Sequence, residues 1–284
     1  MANEKSVVAS YEHSELIDSI EKALTKLGKT PDDLTVDHLY PVDEFHIGGN
    51  IATKHLMTQL DISENDHLLD IGCGLGGAAR YIATHYKCKL SGIDLTADYI
   101  EAGNILSTWV GLEQKVILNH GSALKMPYKN NNFDGCYMLH VGMNIDDKNA
   151  LFKELNRVIK PGKSIAIYDI MLSKVGKIKY PVPWANEQAT SHLSTQEQYI
   201  DALKEAGFEI KQCNDRREFA QQFFNQILAK TNNLKNFGPL GLHILMQQST
   251  AEKYGNMIQN TSNGLIAPIE IIAKKIDSPI PITK

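Results

Sequence analysis

The segment Leu68-Leu69-Asp70-Ile71-Gly72-Cys73-Gly74-Leu75-Gly76-Gly77 decides the fold. Residues 67–71 read as a buried strand, because the run is short, apolar and ends at a glycine turn. The turn opens a helix carrying Ala78, Ala79, Ile82 and Ala83. Glycines between strand and helix let a ligand approach the backbone where a side chain would block it. Gly72, Gly74 and Gly77 also satisfy GxGxxG, so a dinucleotide site has to be weighed. Three features point away from a pyrophosphate. Asp70 stands at the strand end, where it can meet a cationic ammonium group. Asp94 ends the next strand, 24 residues on, where a carboxylate can accept from both ribose hydroxyls. The turn also follows a helical prelude instead of opening the chain.

Outward from the turn, strands and helices alternate. Strands are predicted at 89–94, 116–118, 133–139 and 164–170, with helices between them. Thr96 is the expected N-cap of the helix that ends near Gly111. Leu151, Phe152, Leu155, Val158 and Ile159 make one apolar face before Pro161-Gly162. Such alternation implies an α/β fold with a mostly parallel, doubly wound sheet covered on both faces. After residue 172 the pattern pauses in a loop holding Tyr180-Pro181-Val182-Pro183-Trp184. Ser194-Thr195-Gln196-Glu197 is read as a capping box. Strands at 208–213 and 265–273 bring the expected total to seven. The helical residues between them, about 214–263, are too many for a structureless loop and read as a cap insertion.

Residues 1–62 read as an N-terminal helical lid segment, and 63–284 as the core domain with its insertion. Leu16, Ile17, Ile20, Leu24 and Leu27 recur at helical spacing before Gly28. Gly28-Lys29-Thr30 resembles a P-loop ending. The first glycine of that motif would fall at Ala23, and no strand precedes it. Residues 39–49 look like an aromatic, turn-rich loop, followed by a short helix over 50–60.

Composition narrows the function classes. Of 284 residues, 43% are hydrophobic and 22% charged, which suits a globular chain and excludes a disordered one. The formal charge of −4 is wrong for a nucleic-acid coat. No secretory h-region and no run of roughly 18 apolar residues is present, so cytoplasmic placement without a membrane span is expected. Four widely spaced cysteines, with no CxxC pair, suit buried thiols rather than a metal site or disulfide scaffold.

The motifs together resemble the class I S-adenosylmethionine-dependent methyltransferases. The resemblance rests on residues 69–77, Gly92-Ile93-Asp94, Asn132-Phe133-Asp134 and Ile159-Lys160-Pro161-Gly162-Lys163. Phe45-His46-Ile47-Gly48-Gly49, with Ala52-Thr53, is similar to the small-molecule branch. That branch includes sarcosine/dimethylglycine and phosphoethanolamine N-methyltransferases and tocopherol-type C-methyltransferases. The resemblance implies a seven-stranded Rossmann-like sheet, S-adenosylmethionine as cofactor and S-adenosylhomocysteine as product. It implies that Gly72, Gly74 and Gly76 line the methionine portion and that Asp70 holds the ammonium indirectly. Asp94 would bind the ribose, Leu95 would lie beside the adenine, and Ser122-Ala123 would close on it. The family often carries an acidic residue where Ser122 stands, and here this chain departs. His140 would border the sulfonium and the substrate, and loop 45–49 would fold over as a lid.

A sulfonium methyl is already activated, so the protein mainly has to align the nucleophile, which can lower the barrier by roughly 7–11 kcal/mol. A hydroxyl or carbon acid also needs a base, and His140 is the candidate. His46 and Trp184 are the candidate substrate contacts, Trp184 through its ring face. The favoured acceptor is a small amine. The alternative is O- or C-methylation of a hydroxylated aromatic, prenyl or polyketide-like compound. Phe219, Phe223 and Phe224 would then face an apolar pocket instead of the core. A non-catalytic S-adenosylmethionine-binding module is the remaining reading.

Overall fold

The structure is a computed structural model that describes residues 2–9, 11, 13 and 15–276. Among the described residues four α-helices precede the sheet: α1 (Ala2–Ala9), α2 (Leu16–Lys26), α3 (Val36–Asp43) and α4 (Asn50–Met57). The alternating section follows as β1 (His67–Ile71), α5 (Gly77–Tyr86), β2 (Lys89–Asp94), α6 (Ala97–Trp109) and β3 (Val116–His120). It continues with β4 (Gly135–Leu139), α7 (Lys148–Val158), β5 (Ser164–Leu172), α8 (Gln196–Glu205) and β6 (Phe208–Asp215). Helices α9 (Arg217–Lys230), α10 (His243–Met246) and α11 (Thr250–Ser262) lie between β6 and the last strand, β7 (Ile266–Lys275).

The seven strands form one sheet in the order β3-β2-β1-β4-β5-β7-β6. Pairs among β1 to β5 are parallel, while β7 runs antiparallel to both β5 and β6. This is the doubly wound, mostly parallel sheet expected from the alternation. Strand β5 is apolar nearly throughout because helices cover both of its faces. One face is packed by Leu151, Phe152 and Leu155 of α7 together with Tyr199 and Leu203 of α8. The other is packed by Ala79, Ile82 and Ala83 of α5 with Leu56 of α4. A further layer, Ile20 and Leu24 of α2 with Leu39 of α3, lies on Leu106 of α6. Among the described residues no helix is long and apolar enough to cross a membrane.

Two local details differ from the sequence reading. Residues 39–43 are the second half of α3 rather than loop, although Pro41 lies inside it. The helix starts from a capping box between Thr35 and His38, and it stops two residues past the proline. A proline removes one backbone donor and crowds the preceding turn, so a helix about to end tolerates it best. Helix α8 is capped by Thr195 with Gln198, one residue later than the Ser194–Glu197 pairing. Thr195 Oγ accepts from the Gln198 amide, and Gln198 Oε1 accepts from the Thr195 amide.

Helices α3 and α5 are locked together. A Cβ at Gly77 would lie 2.3 Å from the Asp43 carbonyl oxygen, so only glycine lets the two backbones meet. At the same junction Arg80 Nη2 donates to Asp43 Oδ2 at 2.7 Å, with both side chains fully buried. The prelude is thereby pinned to the helix that follows the glycine turn.

Candidate active site

A cavity of about 340 Å³ opens at the carboxyl ends of the parallel strands. This is the edge where open α/β sheets bind ligands, here around the β1/β4 switch in strand order. Its floor is the glycine turn. Gly72 has φ +64°, and a Cβ there would meet Val141 at 2.5 Å, so the turn closes only with glycine. Gly74 N donates to Asp94 Oδ2 at 2.9 Å, and Thr96 N donates to Asp94 Oδ1 at 2.9 Å. Each Asp94 oxygen therefore receives one backbone bond and keeps a second lone pair. Burial raises the Asp94 pKa, opposed by those backbone donors.

Asp70 is buried behind the turn. Burial pushes its pKa up to about 8, the Tyr137 hydroxyl opposes, and the charge of Asp94 adds to the rise. Such a carboxyl is poised to ionise when a cation settles beside it.

Loop 45–49 forms one wall through Phe45, His46 and Ile47. Beneath it lies a buried polar chain. His46 Nε2 donates to Gly49 O at 3.0 Å and lies 3.1 Å from Thr53 Oγ; Thr53 Oγ donates to Glu44 Oε2 at 2.7 Å. Glu44 Oε1 has no protein partner. Burial pushes the Glu44 pKa well up, with the neighbouring Asp43 adding to the rise. It lowers His46 to about 4, so the imidazole is neutral. His140 follows β4 with φ +56°, a strained conformation for a non-glycine residue, of the kind that collects at functional sites. Its amide donates to Tyr168 O at 2.7 Å, its ring sits 5.0 Å from the Tyr168 ring and 5.9 Å from His46. Burial, with His46 adding, holds its pKa well below the usual imidazole range.

The roof comes from far along the chain. Trp184 is 2% exposed, lines the cavity, and donates from Nε1 to Ser191 Oγ at 2.9 Å. Phe223 and Phe224 of α9, Met246 of α10 and Met257 of α11 also face the cavity.

Of the expected site residues, the structure brings Asp70, Gly72, Gly74, Asp94, Leu95, Ser122, Ala123, His140, His46 and Trp184 to this one cavity. Gly76 is the exception. It lies outside the lining, at the N-cap of α5, where a side chain would strike Leu118 at 2.7 Å. Phe219 also stays out, lying under Gly48, whereas Phe223 and Phe224 do line the cavity. Sequence reading missed Glu44, which directly precedes the lid motif. It also missed Glu4, Tyr11, Met143 and the methionines of the insertion, which show no local pattern.

Residues 69–167 match a family profile described as a methyltransferase domain. Among curated relatives, an O-methyltransferase of Pyrenophora dematioidea is 27% identical over 185 residues, covering 63% of this chain and 67% of that protein. Phosphoethanolamine N-methyltransferase 3 of Arabidopsis thaliana is 31% identical over 175 residues, covering 60% of this chain but 34% of that longer protein. Among solved structures, geranyl diphosphate C-methyltransferase from Streptomyces coelicolor superposes with a TM-score of 0.71. It is 16% identical, covering 97% of this chain and 98% of that one, and so speaks for the fold alone. These relatives methylate at oxygen, nitrogen and carbon, as their names state. Residues 69–167 thus carry a methyltransferase domain, on this sheet and beneath this cleft, and the proteins the chain resembles in sequence and in fold are methyltransferases.

Proposed function

We propose that the protein transfers a methyl group from S-adenosylmethionine to an apolar, uncharged small molecule, at oxygen or carbon. The observation that carries this reading is the acceptor half of the cleft. Phe223, Phe224, Trp184, Met143, Met246 and Met257 build its walls, and among the described residues the charged side chains lining the cavity are carboxylates. Aromatic rings and methionines give an adaptable apolar surface. A carboxylate or phosphate on the acceptor would meet like charge there. This weighs against the small anionic amines of the branch that the lid motif resembles, and for the hydroxylated aromatic or prenyl-like alternative.

The residues of the floor fit the cofactor. Asp94 offers two oxygens already aligned by backbone donors, and the glycine turn leaves room for the methionine portion. Bound S-adenosylmethionine supplies an electrophilic methyl group on a sulfonium. Asp94 would hold the ribose hydroxyls, and Asp70 would balance the ammonium. Loop 45–49 and Trp184 exclude water, which strengthens these contacts. His140 is a neutral imidazole with a free Nε2, a weak base but a serviceable hydrogen-bonding wall. Glu44, oriented by Thr53, would take the proton that the acceptor's O–H or C–H bond releases; burial raises its pKa, which makes its ionised form the stronger base.

The test is a methyl-transfer screen with S-adenosylhomocysteine release as readout. Phenols, prenyl alkenes and polyketide-like alcohols are set against sarcosine, phosphoethanolamine and simple amines. Turnover in the first set is expected. Turnover confined to the amines would overturn the acceptor class, and cofactor binding without any turnover would favour the non-catalytic module. With an accepted substrate, Phe224→Ala is expected to raise KM about 10–100-fold with kcat less affected, since burying one such ring is worth about 1.5–3 kcal/mol.

Asp70 gives a second check. With its pKa near 8, the free protein holds it protonated at pH 6, and binding the cofactor ammonium requires the proton to leave. S-adenosylhomocysteine affinity should therefore rise from pH 6 to pH 8, by up to about tenfold per pH unit. Asp70→Asn should bind weakly and without that slope. Calorimetry showing equal slopes in both proteins would remove Asp70 from the ammonium site.

A further inference from the structure

The end of the cleft between β2 and β3 presents Leu95, Ser122 and Ala123. Ser122 accepts from the Leu124 amide at 3.1 Å and donates to Glu4 Oε1 at 2.5 Å. Glu4 stands on α1, 118 residues away in sequence, and lines the same cavity together with Val7 and Tyr11. Tyr11 reaches towards the acceptor side. Its hydroxyl donates to Asn144 Oδ1 at 3.3 Å, and its ring stands edge-on to Phe45 and Tyr99. The N-terminal segment therefore touches both ends of the cleft. Its carboxylate sits against the strand-end loop, whose own residues 121–124 carry no acidic side chain.

We propose that Glu4 reads the exocyclic amino group of adenine, so that α1 docks as part of the cofactor site. The proposal rests on reading the cleft as the S-adenosylmethionine site. An ionised carboxylate only accepts hydrogen bonds, and the 6-amino group of adenine only donates. A 6-oxo purine turns an acceptor towards the same carboxylate and is rejected, as sites built to pair a polar group reject an analogue that leaves it unpaired. Ser122 is a positioning residue: its hydroxyl holds the carboxylate, and the Leu124 amide holds the hydroxyl. An eight-residue helix has little stability of its own, so on this proposal contact with bound adenine would add to what holds α1 in place.

Calorimetry on the full chain tests this without knowledge of the acceptor. S-adenosylhomocysteine is compared with S-inosylhomocysteine, its 6-oxo analogue, on the wild type, Glu4→Ala and Glu4→Gln. The wild type should prefer the adenosyl ligand by about tenfold or more, the size of one charge-assisted hydrogen bond. Glu4→Ala should lose that preference, weakening the adenosyl ligand and relieving the rejection of the inosyl one, and Glu4→Gln should gain affinity for the inosyl ligand through its amide N–H. Hydrogen exchange should show S-adenosylhomocysteine protecting the α1 amides in the wild type but not in Glu4→Ala. An unchanged preference in Glu4→Ala, with normal adenosyl affinity, overturns the role of Glu4. Failure of the wild type to bind either ligand overturns the cofactor reading instead, and the two failures are thus told apart.

Discussion

Arg80→Met is expected to lose about 3–5 kcal/mol of stability, the usual cost of removing one partner from a buried ion pair. Against a total of about 5–15 kcal/mol, that is enough to leave the chain partly unfolded. The guanidinium is wholly buried, donates to Asp43, and also donates from Nη1 to Gly103 O and Ser107 Oγ, each at 3.0 Å. One side chain thus ties α3, α5 and α6 together. Methionine fills the volume but leaves the Asp43 carboxylate buried and alone. Burial already raises the Asp43 pKa, with Arg80 opposing; without Arg80 it rises further. A carboxyl whose folded pKa is raised favours the folded state at low pH and loses that contribution as pH climbs. The deficit should therefore be larger at pH 8 than at pH 5. Urea denaturation at both values checks this, and Asp43→Asn/Arg80→Met should recover part of the loss. Equal deficits at the two pH values would mean that Asp43 is not the orphaned charge.

Asp94→Ala is expected to weaken S-adenosylhomocysteine binding by on the order of 100-fold or more. Two hydrogen bonds from ribose hydroxyls to a charged acceptor are removed, each worth roughly 1.5–3 kcal/mol. The carboxylate also braces the turn by accepting from Gly74 N and Thr96 N, so alanine frees the floor of the site. Asp94→Asn keeps one carbonyl acceptor and should fall between the two proteins. Calorimetry on folded variants, with thermal melts to show that they remain folded, makes the comparison. Wild-type affinity in the alanine variant would place the ribose elsewhere.

The floor of the site was legible because its signals are local. Glycines at 72 and 74, Asp70 at one strand end and Asp94 at the next can all be read within about thirty residues. Strand alternation then implies which ends of the sheet they share. Gly76 lies outside the lining, and a glycine needed for packing against Leu118 looks the same in sequence as one that lines a ligand. The half-helix through Pro41 was missed because proline normally argues for a loop, while the Thr35 cap and the packing of Leu39 against α2 and α6 outweigh it.

By itself, then, the sequence determined the doubly wound sheet, the glycine floor and the two strand-end carboxylates, since periodicity and turn chemistry are properties of neighbouring residues. Only the tertiary structure decided what covers that floor. It seated Phe224 and Met257 with Trp184, buried Glu44 beside Thr53 and His46, and set Glu4 against Ser122. Those contacts join residues far apart in the chain through packing that buries apolar surface, and such packing leaves no repeat in the sequence to be read.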